Sequence, residues 1–92
     1  MNVDPTIVHE VLEAEDIEGL LELGAPSDEY FQEAQWISQA LKSLAGRVSE
    51  EDLVAIFKNV WNRSFGPLTE RELNKRTPAF QQASSLILRK VV

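Results

Sequence analysis

The stretch SDEYFQEAQWISQALKSLAG, residues 27–46, decides the fold. Tyr30, Ala34, Ile37, Leu41 and Leu44 recur at three- and four-residue steps, the spacing of one face of an α-helix. Phe31 and Ala40 widen that face, and Trp36 sits away from its centre. Ser27 or Asp28 starts the predicted helix, with Asp28 and Glu29 near the positive end of its dipole. The helix runs to about Leu44, with Gly46 as its stop. A helix this amphipathic needs apolar partners, and the flanking sequence supplies them.

Upstream, Asp4 can accept an orphan backbone N–H and Pro5 fits the first helical position, so a helix is expected from there to about Glu15. Ile7, Val8, Val11 and Leu12 form its apolar face. Asp16 to Leu23 reads as a short turn or helical loop that ends in Gly24-Ala25-Pro26 and carries Leu20, Leu21 and Leu23 into the core. Downstream, Ser49-Glu50-Glu51-Asp52 caps a third helix with Leu53, Ile56, Phe57, Val60 and Trp61 on one face, and Gly66-Pro67 ends it. Thr69-Glu70-Arg71-Glu72 matches a capping box and opens a fourth segment. Pro78 has no N–H for residue 74 and restricts Thr77, which predicts a break or kink and a last piece from about Pro78 to Arg89, with Thr77 as its cap. That piece carries Phe80, Ala83, Leu86 and Ile87. The sum is an all-α fold: a single domain over residues 1–92, built as a small antiparallel bundle of four main helices.

Size and composition agree. The chain has 92 residues, 43% hydrophobic and 26% charged, which suits one folded domain and leaves no material for a second core. With no cysteine and one histidine, it has no disulfide, thiolate zinc site, cysteine nucleophile or multi-histidine site. No Gly-rich phosphate loop or nucleophile elbow occurs, so no cofactor is expected. The N-terminal residues lack the basic start and apolar run of a secretory signal, and no apolar run approaches the length of a bilayer span. The expected protein is soluble and cytoplasmic, with no membrane association.

The net charge of −6 is unevenly divided. Residues 1–33 hold ten acidic side chains and no Lys or Arg, whereas the remaining residues carry a net +4. An acidic first third argues against a nucleic-acid surface. Basic residues at 71, 75, 76, 89 and 90 read as helix termini and solvated faces.

His9 with Glu10, Glu13 and Asp16 is a thin candidate for metal or proton chemistry, and HExxH is absent because position 13 is Glu. Glu10 and Glu13, and Glu15 and Glu18, make ExxE pairs. Such pairs invite comparison with the magnesium carboxylates of all-helical nucleotide pyrophosphohydrolases. The downstream ExxD of those enzymes is missing here.

The segment from Gly19-Leu20-Leu21 through Gly24-Ala25-Pro26-Ser27-Asp28-Glu29-Tyr30, followed by Glu33 and Ile37, resembles a family of small uncharacterised bacterial all-helical proteins known as a domain of unknown function. In that family a Trp-Asp-Pro-Ile-Gly-Leu-Leu loop leads through Gly-Ala-Pro-x-Asp-Glu-Tyr into a helix. Asp16, Gly19, Leu20 and Leu21 fit that pattern, while Glu15, Ile17 and Glu18 replace its Trp, Pro and Ile. The resemblance covers residues 5–66 and implies the helical fold rather than an activity. Some such small acidic proteins look like immunity or partner-binding proteins.

Asp16, Asp28, Glu29, Tyr30, Glu33 and Trp36 are the candidate partner-binding residues: an acidic patch around Tyr30 with an aromatic anchor nearby, complementary to a basic protein. The structural alternative assigns Tyr30 to packing and Asp28 and Glu29 to the helix dipole. The leading functional expectation is a noncatalytic protein-binding module, immunity-like or regulatory. The alternatives are a magnesium-dependent nucleotide phosphohydrolase using Glu10, Glu13 and Glu33, and a homo-oligomeric structural domain.

Overall fold

Asp4 opens the first helix as expected: its carboxylate accepts the Thr6 N–H at 2.9 Å and Pro5 occupies the first turn, giving α1 (Pro5–Glu15). In this computed structural model, which describes residues 1–44 and 46–91, three more helices follow: α2 (Phe31–Lys42), α3 (Glu50–Phe65) and α4 (Glu70–Val91). Each helix packs against two neighbours, α1 on α2 and α4, and α3 on α2 and α4. The result is a four-helix bundle with a radius of gyration of 12.3 Å, the value a single compact domain of this length should have. Among the described residues there is no strand, and no helix is long and apolar enough to cross a membrane.

Each helix contributes its apolar stripe to one core. Val8, Val11 and Leu12 of α1, Ile37 and Leu41 of α2, Leu53, Phe57 and Trp61 of α3, and Phe80 and Ile87 of α4 are all buried. Phe57, Trp61 and Phe80 pack ring to ring, with centroids 5.4 to 5.8 Å apart. Ile56, expected on the α3 face, is only partly buried.

The caps follow the residues that predicted them. Ser49 and Asp52 exchange bonds at 3.0 and 3.1 Å in a complete capping box at the start of α3. At Thr69, the hydroxyl accepts the Glu72 N–H at 3.1 Å and donates to the Glu72 carboxylate, so the return bond runs between side chains rather than to the Thr69 backbone. Gly66 is required for space: a Cβ there would collide with the Asn62 carbonyl.

Three expectations need correction. First, α2 starts at Phe31, not at Ser27 or Asp28. The preceding residues form four-residue turns, Glu29 N–H to Pro26 and Phe31 N–H to Asp28, and the helical ladder begins when Ala34 donates to the Tyr30 carbonyl. Tyr30 takes φ −96° and ψ 12°, a turn conformation that lets its ring enter the core ahead of the helix. The far end also stops early: α2 ends at Lys42, so Leu44, assigned to the stripe, is exposed. Second, the fourth segment is not broken at Pro78: α4 is one helix of 22 residues with Pro78 inside it. Pro78 and Asn74 are both exposed, so water can serve the Asn74 carbonyl that loses its donor, while Phe80, Ala83 and Ile87 hold the continuing turns in the core. Thr77 therefore caps nothing; its hydroxyl donates back to the Leu73 carbonyl at 2.9 Å. Third, Leu23 does not enter the core. It is 83% exposed, whereas Leu20 and Leu21 pack against the core as expected.

Candidate interaction surface

The segment between α1 and α2, residues 16–30, is held from beneath by a connected polar network. Asp16 ends α1 with φ 43°, a left-handed conformation that Asp tolerates better than most residues, and its N–H still reaches the Leu12 carbonyl. That reversal turns its carboxylate back onto the following turn. Oδ1 accepts the Leu21 N–H and Oδ2 the Glu22 N–H, both at 3.0 Å, and Oδ1 also accepts the Tyr30 hydroxyl at 2.7 Å. Burial pushes the Asp16 pKa up, but the donors from Leu21, Tyr30 and Glu22 outweigh it and hold the carboxyl below its ordinary value.

The turn itself closes in a Schellman motif. Ala25 donates to the Leu20 carbonyl and Gly24 to the Leu21 carbonyl, each at 3.0 Å, and Gly24 takes the φ of 100° that this ending requires. One side of the segment is thereby fixed, and Leu23 is left facing water.

Glu18 ties the same segment to the other half of the bundle. Its carboxylate accepts Trp61 Nε1 at 2.9 Å and a two-point contact from Arg76, Nε at 2.6 Å and the second guanidinium nitrogen at 3.0 Å. Arg76 also donates to the Glu72 carbonyl, which sets its fork along α4. The Arg76 bond is the main reason the Glu18 pKa lies below its ordinary value, with the Trp61 donor adding to it against the cost of burial. The Glu18 N–H donates to the Tyr30 hydroxyl at 3.1 Å, and the Tyr30 ring stacks on Trp61. Asp16, Glu18, Tyr30, Trp61 and Arg76 are thus one network joining the loop, α3 and α4.

The six candidate residues separate into two groups. Tyr30 is fully buried and Glu33 is 5% exposed, so neither presents its side chain to a partner. Burial pushes the Glu33 carboxyl up, and the nearby Glu29 charge adds to this, while its own N–H and the Ser64 hydroxyl pull the other way. Asp16 is committed to the network. Asp28 and Glu29 are exposed. Trp36 is half-buried, and the Arg63 guanidinium lies 4.0 Å from its ring centroid, a cation–π contact that occupies part of that surface from within the chain. Trp61 is wholly a core residue.

The magnesium reading needs converging carboxylates. Among the described residues, no group of three or more His, Asp or Glu side chains is placed to hold a metal ion. Glu10 is exposed on α1 and Glu33 is buried at the start of α2.

Sequence reasoning named Asp28 and Glu29 but missed the other exposed groups around them. Asp4, Glu10, Glu22, Asp28 and Glu29 are exposed, and the one ion pair among the described residues joins Arg76 to Glu18. In one turn with Asp28 and Glu29 is Phe31, 43% exposed, which meets His9 of α1 edge to face with centroids 5.6 Å apart. His9 Nε2 donates to the Ser27 carbonyl at 3.0 Å, which fastens the turn before α2 onto α1. The signal available in the sequence was the apolar Phe31 next to the acidic run, which read there as a widening of the core stripe. Comparison with protein-family models, with curated proteins and with solved structures gives no match.

Proposed function

We propose that the chain is a noncatalytic protein-binding module, immunity-like or regulatory, that works in the cytoplasm and engages a basic protein surface through the outer side of residues 22–31 and the adjoining acids of α1. One observation carries this reading. Glu22, Asp28 and Glu29 stand exposed beside the exposed apolar side chains of Leu23 and Phe31, on a segment whose inner side is bonded within itself and to α3 and α4. Apolar contact area with an acidic rim, on a preorganised backbone, lowers the ordering cost of binding and steers a cationic partner.

The test is affinity capture from source cells, compared with the same capture by the Asp28→Lys, Glu29→Lys double variant. We expect a reproducible partner that a high-salt wash releases, and about a tenfold loss of its affinity on charge reversal. The melting temperature should stay unchanged, because both side chains are exposed. A partner bound equally by the reversed variant at every salt concentration would remove the acidic surface from the account.

A further inference from the structure

The aromatic pair of His9 and Phe31 gives that surface a chemical preference, and we infer that it takes an arginine side chain of a cationic partner segment, stacked on Phe31 and paired with the carboxylates of Asp28 and Glu29. This rests on the binding reading above and narrows it to a side-chain type and an anchoring residue.

Four observations converge. Phe31 is one of three large apolar side chains that the described residues leave exposed, and its ring orientation is set by the edge-to-face contact with His9. His9 is itself fixed, since a carbonyl can only accept and the bond to Ser27 therefore places the proton on Nε2. The Phe31 N–H donates to the Asp28 carbonyl at 3.0 Å, so the ring and the two acidic residues belong to one tight turn. Finally, no Lys or Arg occurs in residues 1–33. The contrast with Trp36 is informative: there the ring already carries Arg63 at 4.0 Å, whereas among the described residues no Lys or Arg stands over the exposed Phe31 ring.

The chemistry favours arginine. A guanidinium offers a flat face to a ring and a donor fork to carboxylates at the same time, whereas an ammonium is a point charge that holds its water more strongly. A second copy of the chain is the weaker occupant, because each copy carries −6 and association would bring like charge together.

Three synthetic peptides of one length test this: alternating Arg and Leu, the same with Lys for Arg, and the same with Glu for Arg. Each is titrated into the isotope-labelled full chain and followed by NMR. The arginine peptide should bind about two- to fivefold tighter than the lysine peptide, the glutamate peptide should not bind, and the largest shifts should fall on the Phe31 ring and His9 imidazole. Phe31→Leu keeps an exposed apolar side chain and should abolish the preference for arginine while leaving the helical spectrum intact. Equal binding of the arginine and lysine peptides, shifts centred on Trp36 or on α4, no binding at all, or self-association of the chain in place of peptide binding would each overturn the inference. If the captured partner depends on Asp28 and Glu29 while the peptides fail, the arginine site is wrong and the binding reading survives; loss of both removes the reading itself.

Discussion

Trp61→Ala should destabilise the fold by about 3–5 kcal/mol, the largest effect we expect from any single substitution. The indole is fully buried among Tyr30, Phe57, Phe65 and Phe80, so the deletion opens a cavity where the loop, α3 and α4 meet. It also takes away the Nε1 donor to Glu18 and leaves that carboxylate with Arg76 alone. Because a domain of this size has total stability of roughly 5–15 kcal/mol, the melting temperature should drop by more than about 12 °C. Trp61→Phe, which keeps most of the ring contacts and removes only the donor, should cost about 1–3 kcal/mol. Thermal melts followed by circular dichroism separate the two. A loss below about 1 kcal/mol in the alanine variant would mean that Trp61 is not the centre of the core.

Asp16→Ala should come second, at about 2–4 kcal/mol. Three donors lose one acceptor: the N–H groups of Leu21 and Glu22 and the buried Tyr30 hydroxyl. Alanine also sits less well than aspartate at a φ of 43°. Asp16→Asn keeps one carbonyl oxygen and should fall between alanine and the native residue. The pH dependence has a definite sign. Donors to the charged form hold the Asp16 carboxyl below its unfolded value, so its contribution is present above the ordinary carboxylate range and is lost as pH falls through the depressed folded value. The alanine variant should therefore lose less stability than the native chain on going from neutral to acid pH. Denaturant melts at two pH values measure this, and equal losses in both proteins would contradict the role given to Asp16.

Much of the bundle could be read from local chemistry. Asp4-Pro5, Ser49 to Asp52 and Thr69 to Glu72 place three helix starts correctly because a cap needs only residues within one turn of each other. The start of α2 resisted the same reasoning. Ser27 and Asp28 have the composition of a cap, yet the chain spends those residues on turns so that Tyr30 can reach Asp16 and stack on Trp61. That is a tertiary demand, and it overrides the local preference. Pro78 shows the converse, a strong local breaker carried through by the buried residues that follow it.

The candidate surface was legible only in part. The acidic run marked the segment on which the proposed surface is built, and Asp28 and Glu29 are exposed as that proposal requires. Which acids are surplus to the fold could not be read, because the partners that consume the others lie far along the chain. Glu18 meets Trp61 and Arg76 across 43 and 58 residues, and Asp16 meets Tyr30 across 14. Nothing local separates Glu18 from Glu22, although one is a clamp inside the molecule and the other faces water. Phe31 and Leu23 were assigned to the core because periodicity records apolar character and is silent on which apolar residues the packing leaves out.

The account depends on residues 16–30 being closed over Tyr30, and the protonation of that side chain reports on it directly. Tyr30 is the only tyrosine in the chain, so tyrosinate absorbance follows this group alone. Burial, reinforced by the Asp16 carboxylate, pushes its pKa up to about 12, against the opposing donors from the Glu18 and Leu20 backbones. A pKa raised in the folded state gives stability that is complete below the unfolded value near 10 and is lost as pH rises through the folded value. An alkaline titration, with circular dichroism recorded on the same samples, should show tyrosinate forming at about pH 12 or only together with loss of the helices. Ionisation of Tyr30 near pH 10 with the helical spectrum intact would mean that the segment stands open, and the fixed acidic surface built on it would fall with it.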